Sequence, residues 1–256
     1  MHIVPLGYEY DRAVRPFEGP SGFRVNRVYL MSALEEANAP PEVVSKHQKY
    51  ADMVRKRLEE MDITVVPVPT NLIDILEVLR KVCKIIRVEQ AQGNNVYVNM
   101  SSAGRLTSVG ATLSGMAHGV KVYYVVSDEY ADNDPRMETH GYTIVETPHI
   151  TYLENLKISL PGDLQLKVLV EIFRIGRMRT VEIIDYLLSI GASDFMEDYD
   201  TLSRTEKSRI VMKLNRNILD KLVESELISK SKLGRESEYE ITDTGKYMAS
   251  ISGLVE

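Results

Sequence analysis

The sequence contains a single cysteine, Cys83, and no run of apolar residues long enough to cross a bilayer. One thiol cannot form a disulfide within the chain, which favours a reducing compartment, and a membrane-spanning helix needs about 20 consecutive apolar residues. The first residues also lack the charged segment followed by an apolar segment that is typical of a signal peptide. These absences predict a cytoplasmic protein with no membrane partner.

The motifs of common cofactor and catalytic sites are missing as well. The five histidines form no ligand spacing and the one cysteine is isolated, so no metal site is predicted. No G-x-x-x-x-G-K-[ST] phosphate loop occurs, and the loop after the first predicted strand keeps only Gly7 of the G-x-G-x-x-G that a dinucleotide requires. We therefore expect no catalytic residue, no metal and no bound cofactor.

The first 158 residues alternate short strands with long helices. Strand-like runs rich in Val, Ile and Tyr occupy residues 3–6, 27–31, 63–68, 96–100 and 121–126, and helical patterns occupy residues 41–61, 72–90 and 106–118. This alternation predicts βαβ units and a Rossmann-like α/β domain, with a parallel sheet covered on both faces. Residues 142–153 are predicted as a further strand, interrupted at Thr147-Pro148.

A Ser-Leu-Pro-Gly linker at residues 159–162 marks the predicted domain boundary, and the pattern changes after it. Helices are predicted at residues 164–173, 181–190 and 204–226, capped by Asp163, by Thr180 and by a Ser203–Glu206 capping box. Strands at 227–232 and 238–242 follow, and Thr242 or Asp243 caps a last helix. Three helices followed by a β-hairpin predict a winged helix-turn-helix over residues 159–256.

The third predicted helix has a basic face. Ile210, Val211, Leu214 and Ile218 share one side, whereas Arg209, Lys213 and Arg216 occupy a narrow arc on the other. In a winged helix this element enters the major groove, where arginine and asparagine read bases and lysine anchors phosphate. The residues predicted to contact double-stranded DNA, in this helix and the hairpin, are Arg204, Lys207, Arg209, Lys213, Arg216, Asn217, Lys230, Lys232 and Arg235.

A solvated helix could carry the same cations without binding DNA. The chain as a whole has a net charge of −6, however, so a basic helix followed by a basic hairpin is a local concentration of positive charge. In addition, the run Tyr-Glu-Ile-Thr-Asp-Thr-Gly at residues 239–245 resembles the second wing strand and following turn of many bacterial and archaeal winged-helix regulators. Both observations favour DNA binding.

A second candidate site follows the strand at residues 96–100. The loop at residues 99–105 is rich in small and hydroxyl residues and ends at Arg105. Its backbone N–H groups, serine hydroxyls and guanidinium suit a phosphate or nucleotide, although close strand–helix packing would produce a similar turn. The small residues at 110, 111, 114 and 115 predict that the next helix closely approaches the sheet or a twofold mate.

Most of the segment at residues 1–155 resembles the CRISPR-associated Rossmann fold (CARF) domain, and the winged helix behind it matches the archaeal transcription regulators of that family. The family signature at the end of the fourth strand is close to Asn-[Ile/Leu]-Thr-Gly-Gly-Thr-Lys, and residues 99–105 here read Asn-Met-Ser-Ser-Ala-Gly-Arg. Asn99, the hydroxyl of Ser101 and the cation of Arg105 match it. Ser102, Ala103 and Gly104 depart from it but stay small.

The resemblance implies which residues bind a ligand and what that ligand is. The ligand contacts are Asn99, Ser101, Ser102, Ala103, Gly104 and Arg105, together with Gly7, Tyr8 and Glu9 of the first loop, where Tyr8 is able to stack on a base. The ligand is a cyclic oligoadenylate, with the tetra-adenylate as the expected ring, bound across the axis of a homodimer.

The function expected from both domains is that of a ligand-responsive, DNA-binding transcriptional regulator that senses this nucleotide second messenger. The alternative is a ring nuclease that degrades the cyclic oligoadenylate, as some relatives do, although no general base stands near Ser101 or Arg105. A sensor of an unrelated anionic metabolite is a third alternative.

Overall fold

The computed structural model describes residues 1–34, 40–131, 134–192, 202–233 and 236–255. The chain divides into two units, Met1–Ile158 and Ser159–Glu256. The elements of the first unit are β1 (His2–Pro5), α1 (Tyr10–Val14), β2 (Arg27–Ala33), α2 (Pro41–Glu59), β3 (Thr64–Thr70), α3 (Ile75–Ala91), β4 (Tyr97–Asn99), α4 (Arg105–Ala117), β5 (Lys121–Val126), β6 (Glu129–Tyr130), α5 (Met137–His140), β7 (Thr143–Ile144) and β8 (His149–Leu153).

Six strands form the main sheet in the order β3-β2-β1-β4-β5-β8, with β1 to β5 parallel and β8 antiparallel to β5. Successive residues of β1 point to opposite faces of the sheet. Val4 packs in a cluster with Val54 of α2, and Ile3 packs in a separate cluster with Val78 and Val82 of α3. The sheet is therefore covered by helices on both faces, which confirms the predicted Rossmann-like fold class.

Several predicted boundaries agree with the structure to within two or three residues, and the differences have local causes. The helix expected from residue 72 begins at Ile75, because Asp74 caps it by accepting hydrogen bonds from the N–H groups of Leu76 at 2.9 Å and Glu77 at 3.3 Å. The interruption predicted at Thr147-Pro148 separates β7 from β8. These two strands pair in different sheets.

His2 is buried among aromatic rings at the centre of the sheet. Its Nδ1 lies 3.0 Å from the hydroxyl of Tyr123, and its ring contacts Phe17, Phe23 and Tyr97. Burial lowers the pKa of His2 from 6.5 to about 3. Between pH 6.5 and about 3, the folded protein therefore keeps this imidazole neutral, whereas the unfolded chain protonates it.

We expect His2 to make the folded protein sensitive to acid. Because the pKa of His2 is lower in the folded protein than in the unfolded chain, the free energy of unfolding keeps its full value above pH 6.5 and falls as the pH is lowered towards 3. The loss due to this one group is about 2 kcal/mol at pH 5. The free energy of unfolding in urea, measured between pH 7.5 and 5, should fall less steeply in His2→Phe. His149→Phe, at an exposed histidine, should keep the slope of the parent. Equal slopes in all three proteins would contradict the assignment.

The second unit has the element order of a winged helix. Its elements are α6 (Asp163–Ile175), β9 (Arg177–Arg179), α7 (Thr180–Ser189), α8 (Arg204–Leu214), a π-helical turn (Asn215–Leu219), α9 (Asp220–Glu224), β10 (Ile228–Leu233), β11 (Glu236–Ile241) and α10 (Asp243–Ile251). The strands pair in the order β10-β11-β9. The predicted order of three helices and a hairpin is confirmed. The strand β9 was not predicted; it is three residues long and alternates exposed, buried, exposed.

Two of the predicted caps in this unit are confirmed and two are wrong. Ser203 and Glu206 form the capping box of α8, and Thr242 caps α10. Asp163 and Thr180, by contrast, are the first residues of their helices rather than the caps. Gln165 and Glu182 accept the N–H of Gly162 at 3.1 Å and of Arg179 at 2.7 Å, so each helix begins one residue earlier than predicted.

The long third helix predicted to residue 226 is not a continuous α-helix, because the π-turn interrupts it after Leu214. Leu214 and Leu219 are both fully buried, although residues five apart lie about 140° from each other around a regular α-helix. The wider π-turn brings both leucines onto the core. The spacing of five residues between these two buried leucines is therefore the physical reason why a π-turn interrupts the predicted α-helix.

Candidate functional site

The first candidate site lies where β1 and β4, which are neighbours in the sheet, end at its carboxyl edge. The N–H of Gly7 donates to the carbonyl of Ser102 at 2.7 Å. A Cβ at Gly7 would lie 3.6 Å from the backbone of Ser102, Ala103 and Gly104, so the two predicted loops are in van der Waals contact. The structure thus brings together two segments that are more than 90 residues apart in the sequence.

Three of the predicted ligand residues have buried polar side chains, and these side chains are bonded within the domain. The Asn99 amide donates to the carbonyl of Arg12 at 2.9 Å and accepts from the N–H and hydroxyl of Ser101 at 2.9 and 2.6 Å. The Ser101 hydroxyl also accepts from the N–H of Val125, and the Ser102 hydroxyl donates to the carbonyl of Pro5 at 2.7 Å. These side chains hold the loop in shape.

Replacing Asn99 by alanine should therefore destabilise the fold. The change would remove the acceptor of the buried N–H and hydroxyl of Ser101 and the side-chain donor to the carbonyl of Arg12, at a cost of roughly 2–3 kcal/mol. Urea-induced unfolding of the full chain measures the loss. Asn155→Ala removes a single exposed hydrogen bond to the N–H of Lys157 and should cost less than about 1 kcal/mol. Equal stability of Asn99→Ala and the parent would contradict this role.

The accessible part of the loop is its end, at Ala103, Gly104 and Arg105. Gly104 is the N-cap of α4 and has no side chain that could accept a hydrogen bond from the first N–H groups of this helix. The side chain of Arg105 is exposed and makes no hydrogen bond or ion pair with any residue that the structure describes. A helix N-terminus with an adjacent guanidinium is a site that favours an anion.

Tyr8, expected to stack on a base, is already in contact with other side chains. The ring of His47 lies 4.3 Å from it, between centroids, and the Lys46 ammonium lies 4.9 Å from its centroid. The Tyr8 hydroxyl donates to the carbonyl of Val43 at 3.3 Å. His47 and Lys46 therefore already occupy part of the surface of this ring.

Glu9 is turned towards the interior. Its carboxylate accepts a hydrogen bond from the hydroxyl of Thr143 and lies 3.5 Å from the guanidinium of Arg12. Burial raises the pKa of Glu9, and the contacts with Thr143 and Arg12 partly oppose that rise. The contacts predicted for Glu9 and Tyr8 stay predictions, and their present partners lie within the domain.

Arg12 organises the edge of the sheet and was not singled out in the sequence. Its guanidinium donates to the carbonyl of Ser101 at 3.4 Å, to the hydroxyl of Tyr124 at 2.8 Å and to that of Ser127 at 3.1 Å. It therefore ties the ends of β4 and β5 to α1, a short helix in the segment expected to be a loop. The only feature of the sequence that indicated this role of Arg12 was a cation placed three residues after Glu9.

The second candidate site is the exposed face of α8 and the π-turn. Leu214 and Ile218 are buried, and Ile210 and Val211 pack against the same core, as predicted.

Arg204, Arg209 and Arg216 are exposed, and their guanidinium groups have no partner among the described residues, whereas Lys207 and Lys213 are half-buried. Hydrogen bonds from the Ser203 hydroxyl and N–H lower the pKa of Glu206, the acidic residue at the start of this helix. Arg209, Lys213, Arg216 and Asn217 line one groove on this surface, which also contains Asp220.

The β10–β11 hairpin separates its charges between two faces. Lys230 and Lys232 are paired directly with Tyr239 and Ser237, so these side chains share the face that packs on the helices. The Lys230 ammonium lies 5.7 Å from the centroid of Tyr239, whose hydroxyl donates to the side chain of Asn215 at 3.4 Å. The lysines therefore lie on the same side of the hairpin as the π-turn.

The other face of the hairpin carries its acidic residues, which are paired with arginines of β9. Arg177 lies 3.4 Å from Glu238 and 3.3 Å from Glu240, and Arg179 lies 3.6 Å from Glu236. The positive charge of the helix-facing side is thus not cancelled by this acidic strand. Arg235, also predicted to contact DNA, lies outside the described residues.

Comparisons with known proteins match a family model to each of the two units. Residues 1–130, just over half of the 256-residue chain, match the family model described as HFX_2341_N-like, N-terminal. The chain belongs to this family. Residues 164–253 match the DUF6293 C-terminal winged helix domain. The winged helix and the α/β fold expected from the sequence are confirmed.

Three solved structures that are similar to this chain come from different organisms. Can2 from Sulfobacillus thermosulfidooxidans, in complex with cyclic tetra-adenylate, is 14% identical with a TM-score of 0.38, and the match covers 98% of this chain and 63% of that one. Protein VC1899 from Vibrio cholerae is 12% identical with a TM-score of 0.37, covering 97% and 63%. Enterococcus italicus Csm6, bound to cyclic hexa-2'-fluoro-hexa-dAMP, is 10% identical with a TM-score of 0.39, covering 88% and 55%.

This chain thus spans less than two thirds of the length of each of these three structures. No curated protein matches the sequence. Among the described residues, no helix has both the length and the apolar character to cross a membrane. No group of three or more His, Cys, Asp or Glu side chains is placed to hold a metal ion in the same part of the chain.

Proposed function

We propose that this protein is a transcriptional regulator that binds DNA through its winged helix and responds to a cyclic oligoadenylate at its α/β domain. The observation that carries the proposal is the separation of charge in the second unit. Arg204, Arg209 and Arg216 are exposed and unpaired among the described residues, and the acidic side chains of the hairpin lie on its other face. A surface of this kind suits a polyanion with regularly spaced phosphates.

The ligand assignment rests on the carboxyl edge of the sheet and on the resemblance to CARF domains. The N-terminus of α4, the exposed Arg105 and the small residues Ala103 and Gly104 form an anion cradle, which leaves room for a phosphate to approach the backbone. The proposed ligand is a cyclic tetra-adenylate, the ring named with Can2. No cofactor is required by this function.

A homodimer is part of the proposal, because a cyclic ligand with twofold symmetry offers identical halves to two subunits. Gly110 and Gly115, considered as contacts with a twofold mate, face the interior instead. A Cβ at Gly110 would lie 3.0 Å from Val78, and one at Gly115 would lie 2.4 Å from Val122. Beside Arg105, however, α4 exposes Leu106 and Val109, which lie one turn apart. We assign the subunit contact to these residues.

Leu106→Glu should therefore convert the dimer to a monomer. A buried, unpaired carboxylate on each side of a twofold contact would raise the dimer dissociation constant roughly a hundredfold or more. Sedimentation velocity over a range of protein concentrations measures the shift. The matched control is Val88→Glu, at a similarly exposed apolar residue of α3. A parent protein that is monomeric at all concentrations would contradict the dimer, and so would a dimer unaffected by Leu106→Glu.

The regulator is tested by measuring fluorescence anisotropy with duplex DNA at several salt concentrations, with and without cyclic tetra-adenylate. Binding of the ring at the dimer is expected to change the spacing of the two winged helices and hence the DNA affinity, by about fivefold or more. If the ring binds and the DNA affinity stays the same, the coupling is absent. If duplex DNA fails to bind even at low salt, the regulator is excluded.

The two alternatives give different results in companion experiments. Incubation with labelled cyclic tetra-adenylate would yield a linear product if the protein were a ring nuclease, and the turnover would be lost in Arg105→Ala. Isothermal titration against a panel of nucleotides would reveal a sensor of an unrelated anion, because the tetra-adenylate would then bind no better than the others.

A further inference from the structure

The basic face of α8 has an exposed apolar side chain near its centre. Met212 is 65% exposed, whereas Leu214 is buried and Val211 packs against the core. Arg209 precedes Met212 by three residues and Arg216 follows it by four, so the three side chains share one face of the helix. A single exposed apolar residue is ordinary on a protein surface, but this one lies between cations on the element that is proposed to enter DNA.

Met212 also forms the wall between two surface grooves. A groove of about 540 Å³ contains Arg204 and Lys207, and one of about 740 Å³ contains Arg209 and Arg216. Met212 borders both. These grooves therefore suit a ligand that is anionic on both sides and apolar at the middle. A protein partner is less suitable, because stable protein interfaces bury an apolar centre larger than one side chain.

The major groove of B-DNA presents this combination. Phosphates border it on both sides, and the C5-methyl group of thymine is the apolar group that its base edges display. Methionine is long, unbranched and flexible, so it can reach a methyl group and adapt to its position. Arginine and lysine contacts position a protein on the backbone or read guanine, whereas an apolar contact distinguishes thymine from cytosine.

We propose that Met212 is a specificity-determining residue that reads the methyl group of a thymine in each half of the DNA site. This inference rests on the proposed DNA-binding function and adds to it a chemical preference at one base. Burying one methyl group against the thioether contributes about fourfold to affinity. Removing the methyl group from the DNA should therefore lower the affinity of the parent protein about fourfold. Removing the thioether from the protein should make the affinity independent of that methyl group.

The test uses 20-base-pair duplexes that the full chain has selected from a random pool. Each thymine of a selected duplex is replaced in turn by deoxyuridine, which lacks only the methyl group, and affinities are measured by anisotropy. At one thymine per half-site, the parent protein should lose about fourfold in affinity. Met212→Ala should bind the thymine and deoxyuridine duplexes equally at that position, and Met212→Leu, which keeps an apolar contact, should retain part of the difference.

Ile175→Ala is the matched control, because Ile175 is an apolar side chain of another helix of the same unit and is 57% exposed. It should keep the parent response to deoxyuridine. If the parent binds DNA but no single thymine-to-deoxyuridine change matters, or if Met212→Ala responds as the parent does, the inference is overturned while DNA binding stands. If the parent selects no duplex at low salt, both the inference and the proposed function are overturned.

Discussion

Replacement of Arg105 by alanine is expected to weaken the binding of cyclic tetra-adenylate about a hundredfold. The exposed guanidinium lies at the uncapped N-terminus of α4, so its removal takes a charge-assisted hydrogen bond from the phosphate and leaves only the backbone N–H groups. Arg105→Lys should lose about tenfold, because an ammonium keeps the charge but not the bidentate geometry. Isothermal titration with the purified ring measures both values.

The control for this experiment is Arg55→Ala. Arg55 is an exposed arginine of α2 that is paired with Asp52 at 2.7 Å. Its loss changes the net charge by the same amount and should leave the affinity within about twofold. An Arg105→Ala protein that binds the ring as tightly as the parent would place the ligand somewhere other than this edge of the sheet.

Replacement of both Arg209 and Arg216 by alanine is expected to reduce DNA affinity on the order of a thousandfold. Both guanidinium groups line one groove of the exposed helix face, and each bidentate contact to guanine contributes roughly 1–3 kcal/mol. If the arginines contact phosphates instead, the slope of log affinity against log salt becomes shallower by about 1.8 per chain. Anisotropy titrations at four salt concentrations distinguish base contacts from phosphate contacts.

Arg177→Ala provides the comparison for the double variant. Arg177 lies on the acidic face of the β10-β11-β9 sheet, 3.4 Å from Glu238 and 3.3 Å from Glu240. Its removal should change DNA affinity less than about threefold, although it takes a cation from the same unit. Equal losses in the two proteins would mean that net charge, and not the face of α8, governs binding.

Local patterns predicted most of the fold. The alternation of short β-branched runs with amphipathic helices identified the five parallel strands. The Ser203–Glu206 capping box fixed one helix start, and the choice of Thr242 or Asp243 as a cap placed another to within one residue, because periodicity and capping depend on neighbours within four residues. The elements that were missed are short. α1 and β9 have five and three residues, too few to show a period, and both are specified by distant partners.

The candidate site was predicted less completely than the fold. The sequence indicated the loop at residues 99–105 and the basic helix, but it did not show which polar side chains of the loop face inwards. Asn99 bonds to the carbonyl of Arg12, 87 residues away, so its role is visible only in the folded domain. The same holds for Tyr8, whose ring is covered by His47 and Lys46 of α2.

The sequence by itself determined that the chain contains a parallel α/β sheet domain and a winged helix, and that positive charge gathers on one helix of the latter. Only the tertiary structure decided that Asn99, Ser101 and Ser102 support the loop while Arg105 stays accessible, that a π-turn follows Leu214, and that the two faces of the hairpin differ in charge. The physical reason is the distance along the sequence between the residues that interact. Helical period, strand alternation and caps are set by residues close in sequence, whereas burial and cross-strand pairing are set by contacts that form only when the chain folds.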